Sequence, residues 1–538
     1  MRIQIPQPSV RAALVVLQVA SFVIVLAAFP YPLFQLDRYT YAKELVLLLA
    51  GFGAALCCLV SARRLTVFMV DALLGTFLLV SLLSALLADN RWLSFRALGV
   101  SLAGAAVFWS ARAIARAGYA RPLLLAFAGA VVLGALTGLG QAYGLVNTSL
   151  ASLTRAPGGT FGNRNFMAHL VAIGLPLLLL VSVDARSRRG FTLGSVGVAL
   201  AAGALVLSRS RAAWLGAAVS GLFLAVEGLW VGRLWADRQL RRRVLRLTAV
   251  TVGSLALAML LPNKLNWRSA SPYLESLAGM ANYREGSGAG RLIQYGNSLR
   301  MAADHPVLGV GPGNWPVHYP RYMSPGDPSF DADDIIPTNP WPSSDWFAFL
   351  SERGVPGLLM LALVGGTIGL GAWARVRRGT RHTPALTDLT IVATVLAVAV
   401  VGLFDAVLLL PAPTLFAWTI IGALASTARP VREIVLHPRT RRRLVIGVAV
   451  VGGLYLARGL GQTAAMAVFA NAGGRQAQEL ASRLDPASYR IRMLLAQAWR
   501  AGGRCERARP HAEAAASLFP NYPAPTRLLR ACGGRRAR

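Results

Sequence analysis

Apolar residues recur along this chain in long uninterrupted runs, not at the spacing of half-buried strands or surface helices. Thirteen runs can be read: Ala12 to Phe34, Tyr41 to Ala62, Thr66 to Ala88, Ala97 to Ala115, Pro122 to Tyr143, Phe166 to Val183, Phe191 to Ser208, Ala212 to Val231, Val244 to Leu261, Val355 to Ala374, Thr387 to Leu410, Pro413 to Ala425 and Leu444 to Ala457. Most approach the roughly 20 residues a helix needs to cross a hydrocarbon core of about 30 Å. The last two are short, so the expected count is about 12 to 14 transmembrane helices. The first run follows Arg2 and Arg11 as a signal peptide would, but it lacks a small-residue cleavage site and a second span follows quickly, so it reads as a retained first helix. The fold class expected is an all-α polytopic membrane protein.

Composition supports this and excludes an ordinary soluble enzyme. Of 538 residues, 55% are hydrophobic and 14% charged, against roughly 25% charged in a soluble chain; mean hydropathy is +0.51. The net charge of +32 comes from 55 Lys+Arg against 23 Asp+Glu, and only Lys43 and Lys264 are lysines. With the N-terminus inside, the inner connections carry 26 cations, including Arg63, Arg64, Arg112, Arg116, Arg121, the run from Arg233 to Arg246, Arg375 to Arg381 and the cluster from Arg429 to Arg443. The short outer connections carry eight: Arg38, Lys43, Arg91, Arg96, Arg155, Arg164, Arg209 and Arg211. The asymmetry obeys the positive-inside rule, so the basic charge is mainly a topology signal at the membrane lipids and implies no nucleic acid.

The chain then divides into helices 1–9 over 1–261, a large outer loop over 262–354, helices 10–13 over 355–457 and an outer tail over 458–538. The loop has nine carboxylates and seven cations and reads as a folded cap on the membrane face. In the tail, Ala496, Gly503, Ala508, Ala515 and Pro520 fall on the small-residue, turn and terminal-proline positions of a 34-residue tetratricopeptide repeat, and Leu484-Asp485-Pro486 precedes Leu518-Phe519-Pro520 by that period. A generic Ala-rich helical hairpin is the plainer reading. Such a repeat offers a surface for a protein partner. Cys57 and Cys58 lie inside the second span. Cys505 opens one repeat helix and Cys532 ends the next, so antiparallel packing in an oxidising compartment predicts a Cys505–Cys532 disulfide.

Three outer stretches break the apolar background: Gly158 to Phe166, Ser208-Arg209-Ser210-Arg211, and a loop run holding Gly290-Arg291 and Asp304 to Trp315. Arginines at a membrane edge either anchor to headgroups or converge on an anion, and the guanidinium fork suits phosphate oxygens.

Together, Gly-Thr-Phe-Gly-Asn-Arg-Asn-Phe at 159 to 166, Ser-Arg-Ala-Ala-Trp-Leu-Gly at 210 to 216, Gly290-Arg291 with the Asp304 to Asn314 run, and Leu350-Ser351-Glu352-Arg353-Gly354-Val355-Pro356-Gly357 resemble the O-antigen ligase and polymerase family over about 158–424. The resemblance implies a helical glycosyltransferase of the bacterial inner membrane. Such an enzyme moves an undecaprenyl-diphosphate-linked glycan to a hydroxyl acceptor on the periplasmic face: lipid A-core, a protein or a second lipid-linked glycan. No metal, nucleotide sugar or other cofactor is implied. Arg211 and Arg291 match the family's diphosphate-binding pair, with Arg164 as a third candidate, and two fixed guanidiniums can neutralise a leaving diphosphate.

Where the family has a loop His, this chain has Ser343, which cannot act alone as a base near neutral pH. Asp345 is the first substitute, being a carboxylate at the membrane edge. His318 and His169 are further candidates, whereas His305, in a tight Asp-His-Pro turn, reads as structural. Asp331, Asp333 and Asp334 are a possible divalent-cation group or simply solvated. Trp341 and Trp346 suit sugar stacking or packing equally. The missing His also leaves open a transporter or a catalytically silent scaffold. A transporter more often shows paired intramembrane charges and inverted repeats, whereas Asp71, Glu227 and Asp405 are the carboxylates away from span ends.

Overall fold

In lipid the backbone groups of an apolar run have no partner but each other, so each run closes into a helix. The computed structural model describes the chain except residues 1–7, 146–155, 231–235, 268, 270, 281, 283–285, 332–333, 379–381, 429 and 534–538. Arg2, Arg155, Arg233, Arg381, Arg429 and Asp333 therefore lie outside the described residues.

The membrane region comprises α1 (Pro8–Leu26), α2 (Asp37–Val60), α3 (Met69–Leu87), α4 (Arg91–Ile114), α5 (Ala120–Ala142), α6 (Arg164–Val183), α7 (Arg188–Ser208), α8 (Arg211–Trp230) and α9 (Arg238–Leu260). Two short helices, α10 (Pro272–Ala278) and α12 (Trp315–His318), and the longer α11 (Gly286–Asp304) build the large loop. Then come α13 (Asp345–Arg377), α14 (His382–Phe404), α15 (Pro411–Leu424) and α16 (Pro438–Asn471), and the tail forms α17 (Arg475–Leu484), α18 (Tyr489–Ala501), α19 (Cys505–Leu518) and α20 (Pro523–Gly533). Ten helical stretches among the described residues are long and apolar enough to cross a membrane; the longest, 91–142, is α4 and α5 joined by a π turn with Gly118 at φ 95°. Each of the thirteen apolar runs overlaps a helix among the described residues.

Two differences from the sequence reading have physical causes. The run ending at Ala457 is the middle of a 34-residue helix, α16, which extends from Pro438 before it to Asn471 beyond it. The other short run is α15, 14 residues long and buried throughout. It is enclosed by protein on all sides, with Gly422 so close to α4 that a Cβ there would fall 2.5 Å from the Phe108 carbonyl. Small residues of this kind let membrane helices approach closely. The division read at 354/355 coincides with a break inside α13: Gly354, at φ 70° and ψ −178°, interrupts the helix before Pro356.

Contacts sort the connections into two ends. At one end the strands β1 (Arg64–Val67) and β2 (Arg432–Val435) pair antiparallel, Arg121 bonds Asp184, and two intramembrane carboxylates find arginines. Arg112 bonds both oxygens of Asp71 at 2.8 Å, and Arg377 reaches Glu227 at 2.9 Å. Both carboxylates are thus paired, as a charge near lipid must be to persist. At the other end lie the α1–α2, α3–α4, α5–α6, α7–α8 and α14–α15 connections, the large loop and the tail. Lys43 of α2 ties two of these together, donating to the carbonyls of Ala27 after α1 and Thr160 before α6.

The tail packs on this second end. Phe34 of the α1–α2 connection joins a core with Met466, Phe469, Ile491, Leu495 and Trp499. Cys505 and Cys532 are disulfide-bonded, with Cα atoms 5.4 Å apart, so the start of α19 lies beside the end of α20.

Candidate active site

Arg164 and Arg211 begin α6 and α8 at this end, and the turn before α8 decides where Arg209 and Arg211 go. Arg209 takes a left-handed conformation, φ 51°, and swings toward α10, where Nε donates to Ser276 Oγ at 2.7 Å and Nη2 sits 3.2 Å from Glu275. Arg211, one turn position on, donates from Nη1 to the Gly279 carbonyl. Arg211 and Arg291 of α11 line one slot of about 30 Å³ with Gly279, Met280 and Phe404. Among the described residues no carboxylate lies within ion-pair distance of Arg291. Arg164 lies elsewhere on the rim, its guanidinium 5.5 Å from the Trp267 ring, which Arg209 approaches to 4.7 Å from its own side.

Immediately along α8 and α10 from this slot opens a cavity of about 680 Å³ between α6, α7, α8, α9 and α14, lined by Leu175, Leu205, Trp214, Leu247, Tyr273 and Leu277 among others. Trp214 and Leu277 on its wall are within three residues of Arg211 and Gly279 at the slot. An apolar cavity with Arg211 one helical turn from its wall, in a slot shared with Arg291, suits an amphiphile with an anionic head and a hydrocarbon chain.

Phe404 also joins the slot to a polar cluster. Its neighbour Asp405 accepts from Asn165 Nδ2 at 3.0 Å through Oδ2 and from its own chain, Ala406 N, at 2.8 Å through Oδ1. His169, one turn along α6 from Asn165, is fully buried; its Nε2 lies 3.7 Å from Asp405 Oδ2, and neither ring nitrogen has a hydrogen-bond partner among the described residues. Phe166 and Trp341 close one side, their ring centroids 6.2 Å apart. The Gly-Thr-Phe-Gly-Asn-Arg-Asn-Phe stretch therefore serves the site chiefly through Asn165 and Phe166.

The other candidates are placed differently. Asp345 is fully buried, and its carboxylate accepts backbone N–H groups from Val407, Leu408 and Leu409 at 3.0, 2.8 and 3.4 Å. It ties the start of α13 to the approach to α15. Ser344 reinforces that joint, capping α13 and donating to the Gly402 carbonyl. Ser343 is held through its backbone, N donating to Gln294 Oε1 at 2.9 Å and O accepting from Tyr295 Oη at 2.8 Å. Trp346 donates Nε1 to the Ala399 carbonyl at 2.9 Å within the core, a packing role. The Asp304 to Trp315 run docks the loop on the helices: Val310 N and Gly311 N donate to the carbonyls of Ser351 and Glu352, and Asn314 bonds Asn90 and Ser94. No group of three or more metal-ligating side chains is present among the described residues, and Asp333 of the acidic group lies outside them.

His318 is not among the slot's residues; it is buried beside Asp89, 3.2 Å away, and His305. Burial pulls its pKa down to about 4, with the Asp89 carboxylate opposing. The folded chain therefore keeps His318 neutral while the unfolded chain takes up a proton near pH 6.5, so stability present above pH 6.5 is lost as pH falls toward 4. Acidifying from pH 7 to 5 should destabilise the purified protein by about 1–2 kcal/mol through this residue, and His318→Gln should flatten that part of the melting-temperature profile. An unchanged profile would remove His318 from the account.

Residues 196–362 match the family model for O-antigen ligase. No curated protein matches the chain. The O-antigen ligase match runs from within α7 into α13, so it contains Arg211, Arg291, Ser343 and Asp345. Arg164, Asn165, His169, Asp405 and the tail lie outside it. Over these residues the chain is similar to O-antigen ligases.

Asp405 and Asn165 are the site residues that motif reasoning passed over. A usable signal existed: of the three intramembrane carboxylates, Asp405 alone falls at the arginine-poor end, away from the cations that pair Asp71 and Glu227.

Proposed function

We propose that this protein transfers a glycan from an undecaprenyl-diphosphate carrier to a hydroxyl acceptor at the periplasmic face of the bacterial inner membrane. The observation that carries the proposal is the placement of Arg211 and Arg291 on one slot at the head of the apolar cavity. The polyprenyl chain occupies the cavity and the diphosphate enters the slot, where a charged phosphate oxygen displaces the Gly279 carbonyl from Arg211. The positive-inside rule orients the β1–β2 end toward the cytoplasm and the slot toward the periplasm.

In the transfer, the acceptor oxygen attacks the anomeric carbon as the bond to the diphosphate oxygen breaks. The leaving group departs with the electron pair, and its charge is met by the two guanidiniums without any need for a metal. Asp405 takes the acceptor's proton, held in orientation by Asn165 with His169 behind it. Asp345 and Ser343, the first candidates from sequence, hold the site's walls together. Arg164 stands at the rim beside Trp267. The tail, read as a tetratricopeptide-like repeat, offers a partner surface.

Deleting the gene in its host should abolish attached surface polysaccharide. Loss of a ligase leaves lipid-linked polymer, whereas loss of a polymerase leaves single units, and the two separate on a gel of the glycan. Unaltered polysaccharide would refute the proposal. Ser343 in place of the family's His favours a silent scaffold as the second reading; full complementation by an Arg211→Lys, Arg291→Lys double variant would establish it.

A further inference from the structure

The segment from Ile335 to Ser343 forms a strap that reaches the polar cluster through Trp341, whose ring meets Phe166, itself 6.3 Å from His169 between ring centroids. Its far end is fixed to α11 through Gln294 and Tyr295, the latter also donating to the Leu403 carbonyl of α14, and Trp341 near this end faces Phe166. Its near end is held by the tail. Tyr522, in the turn between α19 and α20, is 1% exposed, and its hydroxyl bonds Thr338 Oγ1, itself 5% exposed. Around this bond Tyr489, Phe519 and Tyr522 pack against Val317, Ile335 and Ile336 of the loop, with Leu93 from α4. Polar contacts ring the patch: Asn521 Nδ2 donates to the Val317 carbonyl at 2.7 Å, Arg321 Nε donates to Asn521 Oδ1 at 2.8 Å, and Asn90 Nδ2 donates to the Leu518 carbonyl at 2.9 Å. A partner-binding repeat that merely hung from α16 would have no reason to bury a tyrosine hydroxyl against the loop.

We propose that the tail is a positioning element of the transfer site, with Tyr522 acting through Thr338 to hold the strap so that Trp341 stays over the Asp405 cluster. This rests on the transfer reading above. An irregular segment whose one β-bridge among the described residues joins Phe330 to Thr338 loses its register when that bridge is not braced. The Tyr522 hydroxyl braces it from a buried position where water cannot substitute, so the bond is worth more than its exposed equivalent.

The test uses the full-length protein carrying Tyr522→Phe, Thr338→Val, both together, or Thr338→Ser, in the deletion strain and after purification. Hydrogen exchange of residues 335–343 needs no substrate and reads the strap directly. We expect either single variant and the double to raise exchange of the strap alike, because a shared bond is lost only once. Polysaccharide transfer should fall several-fold at unchanged membrane abundance, while Thr338→Ser, which keeps the hydroxyl, stays at the wild-type level in both measurements. Unchanged strap exchange, additive effects of the two variants, or a loosened strap with wild-type transfer would each overturn the proposal. A deletion strain with normal polysaccharide would refute the transfer reading, and with it the positioning role, even if exchange showed the bond to be real.

Discussion

Arg291→Lys is expected to lower glycan transfer by roughly 10²–10³-fold, the usual cost of losing one fixed donor to a developing charge, while leaving the protein inserted and its melting temperature unchanged. The asymmetry follows from the geometry. Arg291 has no carboxylate partner among the described residues, so the substitution leaves no buried acid unpaired, and the shorter fork is missed only when a diphosphate is present. A lysine ammonium is a point charge and cannot span two oxygens. Arg211→Lys should behave similarly in transfer but with some loss of stability, since its guanidinium also holds the Gly279 carbonyl and with it the segment after α10. Attached polysaccharide per unit of membrane-inserted protein is the measurement. Wild-type levels in Arg291→Lys would show that the slot does not bind the leaving group.

The two buried carboxylates should separate under the same substitution. Asp405→Asn is expected to cost roughly 10²–10⁴-fold in transfer, the range for removing a general base, with normal protein abundance, since the new amide oxygen accepts from Ala406 N and Asn165 can turn its own amide oxygen to accept from the new NH2 group. Asp345→Asn should instead reduce the amount of folded protein. Its two oxygens meet three backbone N–H groups, and an amide nitrogen placed there sets donor against donor at a cost of about 1–3 kcal/mol. Ser343→Ala should be mild, because Ser343 acts through its backbone. Comparing transfer per folded molecule for Asp405→Asn and Asp345→Asn decides the matter. Full activity per molecule in Asp405→Asn with none in Asp345→Asn would return the base to Asp345.

The helices were legible because their signal is local. A run such as Phe166 to Val183 states its environment through its own side chains, and backbone satisfaction in lipid leaves helix as the outcome. The arginines that begin α8 and interrupt α11 were legible for a related reason: a charge at the edge of an apolar run stands out against it. Lengths of α15 and α16 were not, since one is shortened by enclosure and the other extended by polar turns that continue a helix outside the apolar window.

Within the site, sequence determined the chemistry available and tertiary structure decided its use. The chain alone established a polytopic helical protein, basic connections on one side, two guanidiniums at the other, a Ser where a His was expected, and two tail cysteines one helix pair apart. It could not say which acid faces the slot. Asp345 and Asp405 both sit at helix ends near the same face. Only packing shows that three backbone amides occupy the first, and that the second stands beside Asn165 and next to Phe404 of the slot. Nor could it join Tyr522 to Thr338, 184 residues apart. Helix formation is set by neighbours along the chain, whereas the role of a polar side chain is set by the partners that desolvation leaves it, and those come from distant elements brought together by the fold.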